Sequence, residues 1–246
     1  MKRKVGLITQ ARMTSTRLPG KVLMEVLQKP LLGYQIERLR SIKSIDEMIV
    51  ATTTNSQDDI IVELCEKWGV NYFRGSENDV LERYYLAAQQ FNLDTVIRVT
   101  SDCPLIDPKT TDKILRRYLY ESDQCDYFSN TVDRTFPRGL DTEIFSFERL
   151  KEAFINAKKN QEREHVTLYF YSNPEKFKIK QFRHHEDLSH LRWTVDTRED
   201  FALIKIIIEA LYPKNPLFDL AECLQFVKKN PDLASINAHV QQKNSS

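Results

Sequence analysis

The stretch Val5-Gly6-Leu7-Ile8-Thr9-Gln10-Ala11-Arg12-Met13-Thr14-Ser15-Thr16-Arg17-Leu18-Pro19-Gly20-Lys21 decides the fold class. Its first four residues, Val5-Gly6-Leu7-Ile8, form a short apolar run that reads as a buried strand. The run passes directly into a loop that sets three cations, Arg12, Arg17 and Lys21, among the hydroxyls of Thr14, Ser15 and Thr16. Strand, hydroxyl- and cation-rich loop, then helix is how many α/β proteins grip a polyphosphate. Backbone N–H groups and hydroxyls wrap the oxygens, while Arg and Lys neutralise their charge. Pro19-Gly20 reads as a turn that brings Lys21 back over the phosphates. A solvated basic loop is the bland alternative. Position weighs against it, because open α/β sheets take their ligands at the carboxyl ends of strands. Neither Gly-x-Gly-x-x-Gly nor Gly-x-x-x-x-Gly-Lys-Ser/Thr occurs, which disfavours a dinucleotide fold and a Walker-type NTPase.

Outward from this loop the alternation continues. Residues 31–41 read as a helix with Leu32, Ile36 and Leu39 on one face, and 48–52 as a strand. A helix follows at 58–68, with Asp58 and Asp59 at its positive end and Gly69 as its stop. Then come a strand at 70–73, a helix at 79–91 and a strand at 95–99. This rhythm predicts an α/β fold with a Rossmann-like, mostly parallel twisted sheet flanked by helices. The second half is less regular. Strands are expected at 125–128 and 143–147, helices at 149–159 and 162–171, and an edge or antiparallel strand at 177–182. A strand at 191–195 ends at Asp196, and a helix spans 200–211. Beyond Pro213 and Pro216 lie a helix at 219–229 and a final short one. The expected organisation is one domain over 1–218, with a helical extension and frayed tail of the same domain over 219–246.

Composition narrows the function classes. The 246 residues carry 36 basic and 35 acidic side chains, a net charge of only +1. No global field therefore draws the chain to nucleic acid or to an anionic membrane, and the local cations serve a local purpose. No apolar run approaches the roughly 20 residues needed to span a bilayer, and the first apolar run is too short for a signal-peptide core. A cytoplasmic protein is expected. Cys65, Cys103, Cys125 and Cys223 lack any Cys-x-x-Cys spacing and read as free, mostly buried thiols.

Two aspartates hold equivalent places in the pattern. Asp102 follows the strand at 95–99, and Asp196 follows the one expected at 191–195. Both then project from the rim that carries the Arg12–Lys21 loop. Magnesium favours hard oxygen ligands and commonly takes one or two carboxylates plus substrate phosphates and water. Each aspartate alone reads equally well as a helix cap or turn former; with the cationic loop they compose a metal–nucleotide site. Asp107 and Asp141 are secondary candidates, with the cap reading ahead for Asp107.

Gln10-Ala11-Arg12-x-x-Ser15-Thr16-Arg17-Leu18-Pro19-Gly20-Lys21 resembles the signature loop of the cytidylyltransferases that activate acidic sugars, the KDO and acylneuraminate enzymes among them. Pro137-Arg138-Gly139-Leu140-Asp141-Thr142-Glu143 and Glu162-Arg163-Glu164-His165-Val166-Thr167 are similar to their relatives of the spore-coat polysaccharide biosynthesis protein F group. The resemblance implies a nucleotidyltransferase domain, CTP and a sugar as substrates, Mg²⁺ as cofactor and a homodimer. It implies Asp102 and Asp196 as metal ligands, with Arg12, Arg17 and Lys21 as catalytic cations around the leaving phosphates. Nucleotide contacts are expected from Ala11, Arg12, Ser15, Thr16, Arg17, Lys21 and Asp102. Thr52 and Thr53 after the second strand, and Arg74-Gly75-Ser76 after the third, are expected to join them. Arg138, Asp141 and His165 are candidates for the sugar. Thr9-Gln10 stands where the family often has Ile-Pro, and Ser101 and Cys103 flank Asp102 where KDO enzymes carry Gly-Asp-Glu-Pro. These departures leave three alternatives open: a sugar-phosphate nucleotidyltransferase using another NTP, a nucleotide-sugar-dependent glycosyltransferase, and a non-catalytic nucleotide-binding protein. Glycosyltransferases of this kind place Asp-x-Asp at the metal, whereas Ser101-Asp102-Cys103 has a single carboxylate.

Overall fold

The computed structural model describes residues 3–242. Strand β1 (Val5–Gln10) leads through the cationic loop and a small hairpin, β2 (Glu25–Val26) and β3 (Lys29–Pro30), into helix α1 (Leu31–Arg40). There follow β4 (Glu47–Thr53), α2 (Asp59–Trp68), β5 (Asn71–Gly75), α3 (Val80–Gln90), β6 (Thr95–Thr100) and α4 (Pro108–Glu121). The second half supplies β7 (Tyr127–Ser129), β8 (Glu143–Ser146), α5 (Phe147–Asn156), α6 (Asn160–Glu164), α7 (Leu168–Tyr171), β9 (Ile179–Gln181), α8 (Arg198–Leu211) and α9 (Leu220–Lys229).

Seven strands form one sheet in the order β5-β4-β1-β6-β8-β7-β9. The first four run parallel, β8 is antiparallel to both β6 and β7, and the edge strand β9 is parallel to β7. Strands β1, β4 and β6 are nearly continuous in apolar residues because helices cover both sheet faces. Leu7, Ile97, Val99 and Ile144 face α1 and α4, meeting Leu39, Ile114, Leu115 and Tyr118. Val50, on the same side, packs on Leu32 and Ile36 of α1 and Ile61 of α2. The alternate residues Ile8, Ile49, Ala51, Val96 and Phe145 face α3 and α5 through Leu81, Tyr84, Leu150 and Ala153. The chain thus leaves β1 over one face and returns to β6 over the other. That reversal opens a crevice at the carboxyl ends of β1 and β6, the switch point where such sheets bind ligands.

Several local expectations change. Residues 191–195 are extended but belong to no sheet. Their partners are loops: the Arg138 N–H donates to the Leu191 carbonyl at 3.0 Å, and the Trp193 N–H donates to the Arg138 carbonyl at 2.6 Å. The helix expected at 162–171 is two short ones, α6 and α7, broken where Val166 adopts a φ of 23°. At the break Val166 is buried in the core, and the Thr167 hydroxyl donates to Glu143 at 2.6 Å. Helix α4 lacked a sequence expectation, although Asp107-Pro108 is a start signal. Asp107 caps it, accepting the Lys109 and Thr110 N–H groups at 3.1 and 3.3 Å. Helix α9 packs Leu220 and Cys223 into the cluster that holds Trp193, Val195 and the apolar face of α8. Of the tail expected at 241–246, residues 243–246 lie outside the described residues. Among those described, no helix is long and apolar enough to cross a membrane.

Gly139 takes a φ of 109°, and a Cβ there would come within 2.5 Å of the Trp193 carbonyl carbon and oxygen. Gly69 also has positive φ, 61°, but nothing lies within 4 Å of its added Cβ. Gly139→Ala is expected to cost about 3 kcal/mol or more and Gly69→Ala about 1–2 kcal/mol. Urea-unfolding midpoints measure both; equal losses would contradict the close approach at Trp193.

Candidate active site

The loop after β1 is held from outside and from within. The Ala11 N–H donates to the Ala51 carbonyl at 3.1 Å, so the chain leaves the sheet only after Ala11. The Met13 N–H donates to Asp58 Oδ1 at 2.7 Å, and the Thr53 hydroxyl donates to Asp58 Oδ2. Asp58 stands at the start of α2, as expected, and is fully buried, where it also tethers the loop. Gly20, at a φ of 69°, donates its N–H to the Met13 carbonyl at 2.9 Å and closes the loop on itself. Lys21 then opens a short 3₁₀ turn, Lys21–Leu23.

That turn delivers Lys21 to both aspartates. Its Nζ donates to Asp102 Oδ2 at 3.2 Å, to Asp196 Oδ1 at 2.8 Å and to the Val195 carbonyl at 2.8 Å. The two acids, 94 positions apart in sequence (196 less 102), meet because the segment before Asp196 is stitched to Asp102. The Val195 N–H and the Thr194 hydroxyl both donate to the Asp102 carbonyl, at 2.8 and 3.1 Å. Asp196 Oδ2 accepts from Arg17 at 2.8 Å and Arg192 at 2.9 Å. Burial opposes the Lys21 charge, yet the two carboxylates outweigh it and raise its pKa. Burial likewise pushes Asp102 upward, but the Lys21 charge and hydrogen bonds from Thr100, Lys21 and Cys103 bring it below the ordinary 3.8. The neighbouring Cys103 thiol is driven up by burial and then by Asp102, so it stays neutral. All four cysteines are buried and free.

These groups open on a cavity of about 720 Å³. Ala11, Arg12, Ser15, Thr16, Arg17, Lys21, Asp102 and Asp196 line it, as do Arg138, Asp141 and His165. Thr52, Thr53, Arg74, Gly75 and Ser76 do not. Thr52 and Thr53 are fully buried. Arg74 turns to the Thr53 and Asn55 carbonyls at 2.9 Å each and to Asp59 at 2.7 Å. Strand β5 lies outermost in the sheet, two strands away from β1, and beside its end it is Arg83, donating to the Ser76 carbonyl at 2.6 Å, that enters the wall. Asp141 lines the cavity but grips Arg134 bidentately, at 2.5 and 2.8 Å. Arg12 contacts Glu77 at 3.6 Å and neither aspartate.

Other wall residues escaped the sequence reading. Arg83 and Arg98 line the cavity, and the Nε of each is buried without a hydrogen-bond partner among the described residues. Arg98 pairs with Glu143, which also accepts the Tyr127 hydroxyl at 2.5 Å. Nothing local in sequence marks these residues, since each lies inside a regular helix or strand. Asp200 carried a better signal: Thr197-x-x-Asp200 is a capping box, and the structure forms it.

The donor set fits a divalent cation. Two carboxylates aim at one cationic centre, the Lys21 ammonium, which marks the point where a positive charge is favoured. No group of three or more His, Cys, Asp or Glu side chains suited to hold a metal occurs among the described residues. A pair of carboxylates without an all-protein cage is the arrangement magnesium uses when phosphates and water complete its shell.

Known proteins resemble this chain along nearly its whole length. A family model described as cytidylyltransferase matches residues 7–241. The chain is 40% identical over 241 residues to the uncharacterised protein MJ1063 of Methanocaldococcus jannaschii, covering 97% of this chain and 96% of that one. It is 33% identical over 238 residues to the spore coat polysaccharide biosynthesis protein SpsF of Bacillus subtilis, covering 93% and 95%. The solved structure of a cytidylyltransferase from Leptospira borgpetersenii superposes with a TM-score of 0.91 at 37% identity, over 99% of this chain and all of that one.

The ion pair makes stability pH-dependent in a defined direction. A carboxylate depressed by folding contributes fully above its unfolded value and loses that contribution as pH falls through its lowered folded value. A lysine raised by folding contributes fully below its unfolded value and loses it as pH climbs through the raised one. Asp102→Asn is therefore expected to flatten the acid limb of the melting temperature below about pH 4. Thermal unfolding across pH checks this; an unchanged acid limb would contradict the Lys21–Asp102 coupling.

Proposed function

The chain belongs to the cytidylyltransferase family, and from that premise we propose that it transfers CMP from CTP to an acidic sugar, with Mg²⁺ held by Asp102 and Asp196. The carrying observation is the meeting of Lys21, Asp102 and Asp196 beside Arg12 and Arg17 in one cavity. The volume of about 720 Å³ suits a nucleotide with a second small substrate. A sugar hydroxyl attacks the α-phosphorus of CTP, the bond to the β-phosphate oxygen breaks, pyrophosphate leaves, and the hydroxyl proton is released. Such a displacement needs positioning and charge neutralisation more than covalent catalysis. Arg12, Arg17 and Lys21 lie where they can take the β- and γ-phosphates, Lys21 and Arg17 exchanging carboxylate contacts for phosphate ones. Ser15, Thr16 and the loop backbone offer donors to the same oxygens. When bound, magnesium supplies a Lewis-acid charge that polarises the α-phosphate.

Arg138 is the chain's own argument for an acidic sugar. It lines the cavity half-buried, within the electrostatic reach of Arg134, Asp141 and Arg192. Burial, then the charge of Arg134, push its pKa down, with Arg192 adding to the effect against Asp141. A cation destabilised in this way gains from an incoming carboxylate. His165 lines the same cavity and is read as a sugar contact, whereas Asp141 acts by fixing Arg134. A cytoplasmic location and a homodimeric assembly complete the proposal.

Pyrophosphate release from CTP, UTP, GTP and ATP against a panel of acidic and neutral sugars tests the reading. CTP with an acidic sugar is expected to give the signal. Asp102→Ala and Asp196→Ala each abolish it with the circular-dichroism spectrum unchanged, and Arg138→Gln raises KM for the acidic sugar about tenfold or more. Full activity in either aspartate variant would overturn the site assignment. Release of free nucleotide from a nucleotide-sugar, without pyrophosphate from CTP, would assign the chain to glycosyl transfer instead.

A further inference from the structure

The carboxylate of Asp196 is held by a network that reaches the last described segment of the chain. Asp200, fully buried, accepts the Asp196 and Thr197 N–H groups on Oδ2 at 2.9 and 3.1 Å. Arg192 donates to both oxygens of Asp200, from Nε at 2.8 Å and from a terminal nitrogen at 2.9 Å, and that same nitrogen donates to Asp196 Oδ2 at 2.9 Å. Asn237, only 4% exposed, closes the network from the far side. Its Nδ2 donates to Asp200 Oδ1 at 2.9 Å and to the Arg192 carbonyl at 3.0 Å. Gln242 Oε1 accepts the remaining terminal nitrogen of Arg192 at 2.7 Å, and Gln242 also lines the cavity. Leu233 and Ile236 anchor this segment against the cluster around Trp193 and α8.

We propose that Asn237 and Gln242 are positioning residues for Asp196, acting through Arg192 and Asp200, so that the segment after α9 sets the affinity of the catalytic centre for its divalent cation. The inference rests on the reading of Asp196 as a metal ligand. A carboxylate shared among Lys21, Arg17 and Arg192 has several directions in which to turn. The Arg192–Asp200 clasp selects one, and Asn237 locks the clasp by bonding to the side chain of one partner and the backbone of the other. Loss of such an outer contact loosens the ligand while leaving the nucleotide's phosphate and base contacts in place.

The test is calorimetric titration of CTP into the full chain at stepped Mg²⁺ concentrations, for wild type, Asn237→Ala and Gln242→Ala. The expected result is a half-saturating Mg²⁺ concentration raised about tenfold in Asn237→Ala and raised to a smaller extent in Gln242→Ala, with CTP affinity in the absence of metal unchanged. A merely structural role would lower the melting temperature and leave the Mg²⁺ midpoint where it is. Gln242 is exposed, so its variant keeps the test open if Asn237→Ala fails to fold. An unshifted Mg²⁺ midpoint in the folded variants overturns the inference. A wild type whose CTP binding ignores Mg²⁺ overturns instead the metal assignment on which it rests.

Discussion

One ammonium group joins the two halves of this molecule. Lys21 arrives from the loop after the first strand, Asp102 from the end of the fourth parallel strand, and Asp196 from a segment that belongs to no sheet. The Lys21 bonds to both carboxylates and to the Val195 carbonyl make the loop, the crevice and the C-terminal segment one unit. Removing the lysine would leave two neighbouring carboxylates without their shared counter-charge. Breaking a buried pair on one side typically costs about 3–5 kcal/mol.

The charges around this point balance by group. Asp102, Asp196 and Asp200 face Lys21, Arg17 and Arg192, three acids against three bases. A triphosphate entering such a centre must bring compensation or find it nearby. The wall offers Arg12, Arg83, Arg98 and Arg138, none of which contacts the aspartate cluster, and the proposed divalent cation would add to them. The Nε groups of Arg83 and Arg98 lie buried behind that wall with no hydrogen-bond partner among the described residues. Apart from these local fields the chain is nearly neutral, so attraction for an anionic substrate is confined to the crevice.

The first half of the fold and the core of the site could be read directly from residues. Apolar runs bounded by helical periodicity located β1, β4 and β6, because strands buried on both faces have nowhere to put polar side chains; the half-exposed edge strand β5 was located by the Gly69 stop before it and the helix after it. The cationic loop and Asp102 were visible because they follow such strands. Asp196 was found through a wrong intermediate: residues 191–195 look like a strand, yet their hydrogen bonds go to Arg138 and Asp102. Extended backbone and sheet membership have the same local signature, and only tertiary partners separate them. The same limit hid Arg98, Glu143 and Arg192, whose roles come from what lies across the cavity. It also drew Arg74-Gly75-Ser76 among the nucleotide contacts, where Arg74 is engaged by the Thr53 and Asn55 carbonyls and by Asp59. Asp58 stands at the start of α2 as its sequence suggests, but its second role, as a buried tether of the cationic loop, has no local signal.

A crystal structure of the chain with CTP and Mg²⁺ tests the central claim most directly. The account predicts a metal ion coordinated by oxygens of both Asp102 and Asp196 and by a phosphate oxygen, with Lys21 displaced from at least one carboxylate onto the triphosphate. A triphosphate bound elsewhere, or a metal whose ligands include neither aspartate, would contradict it.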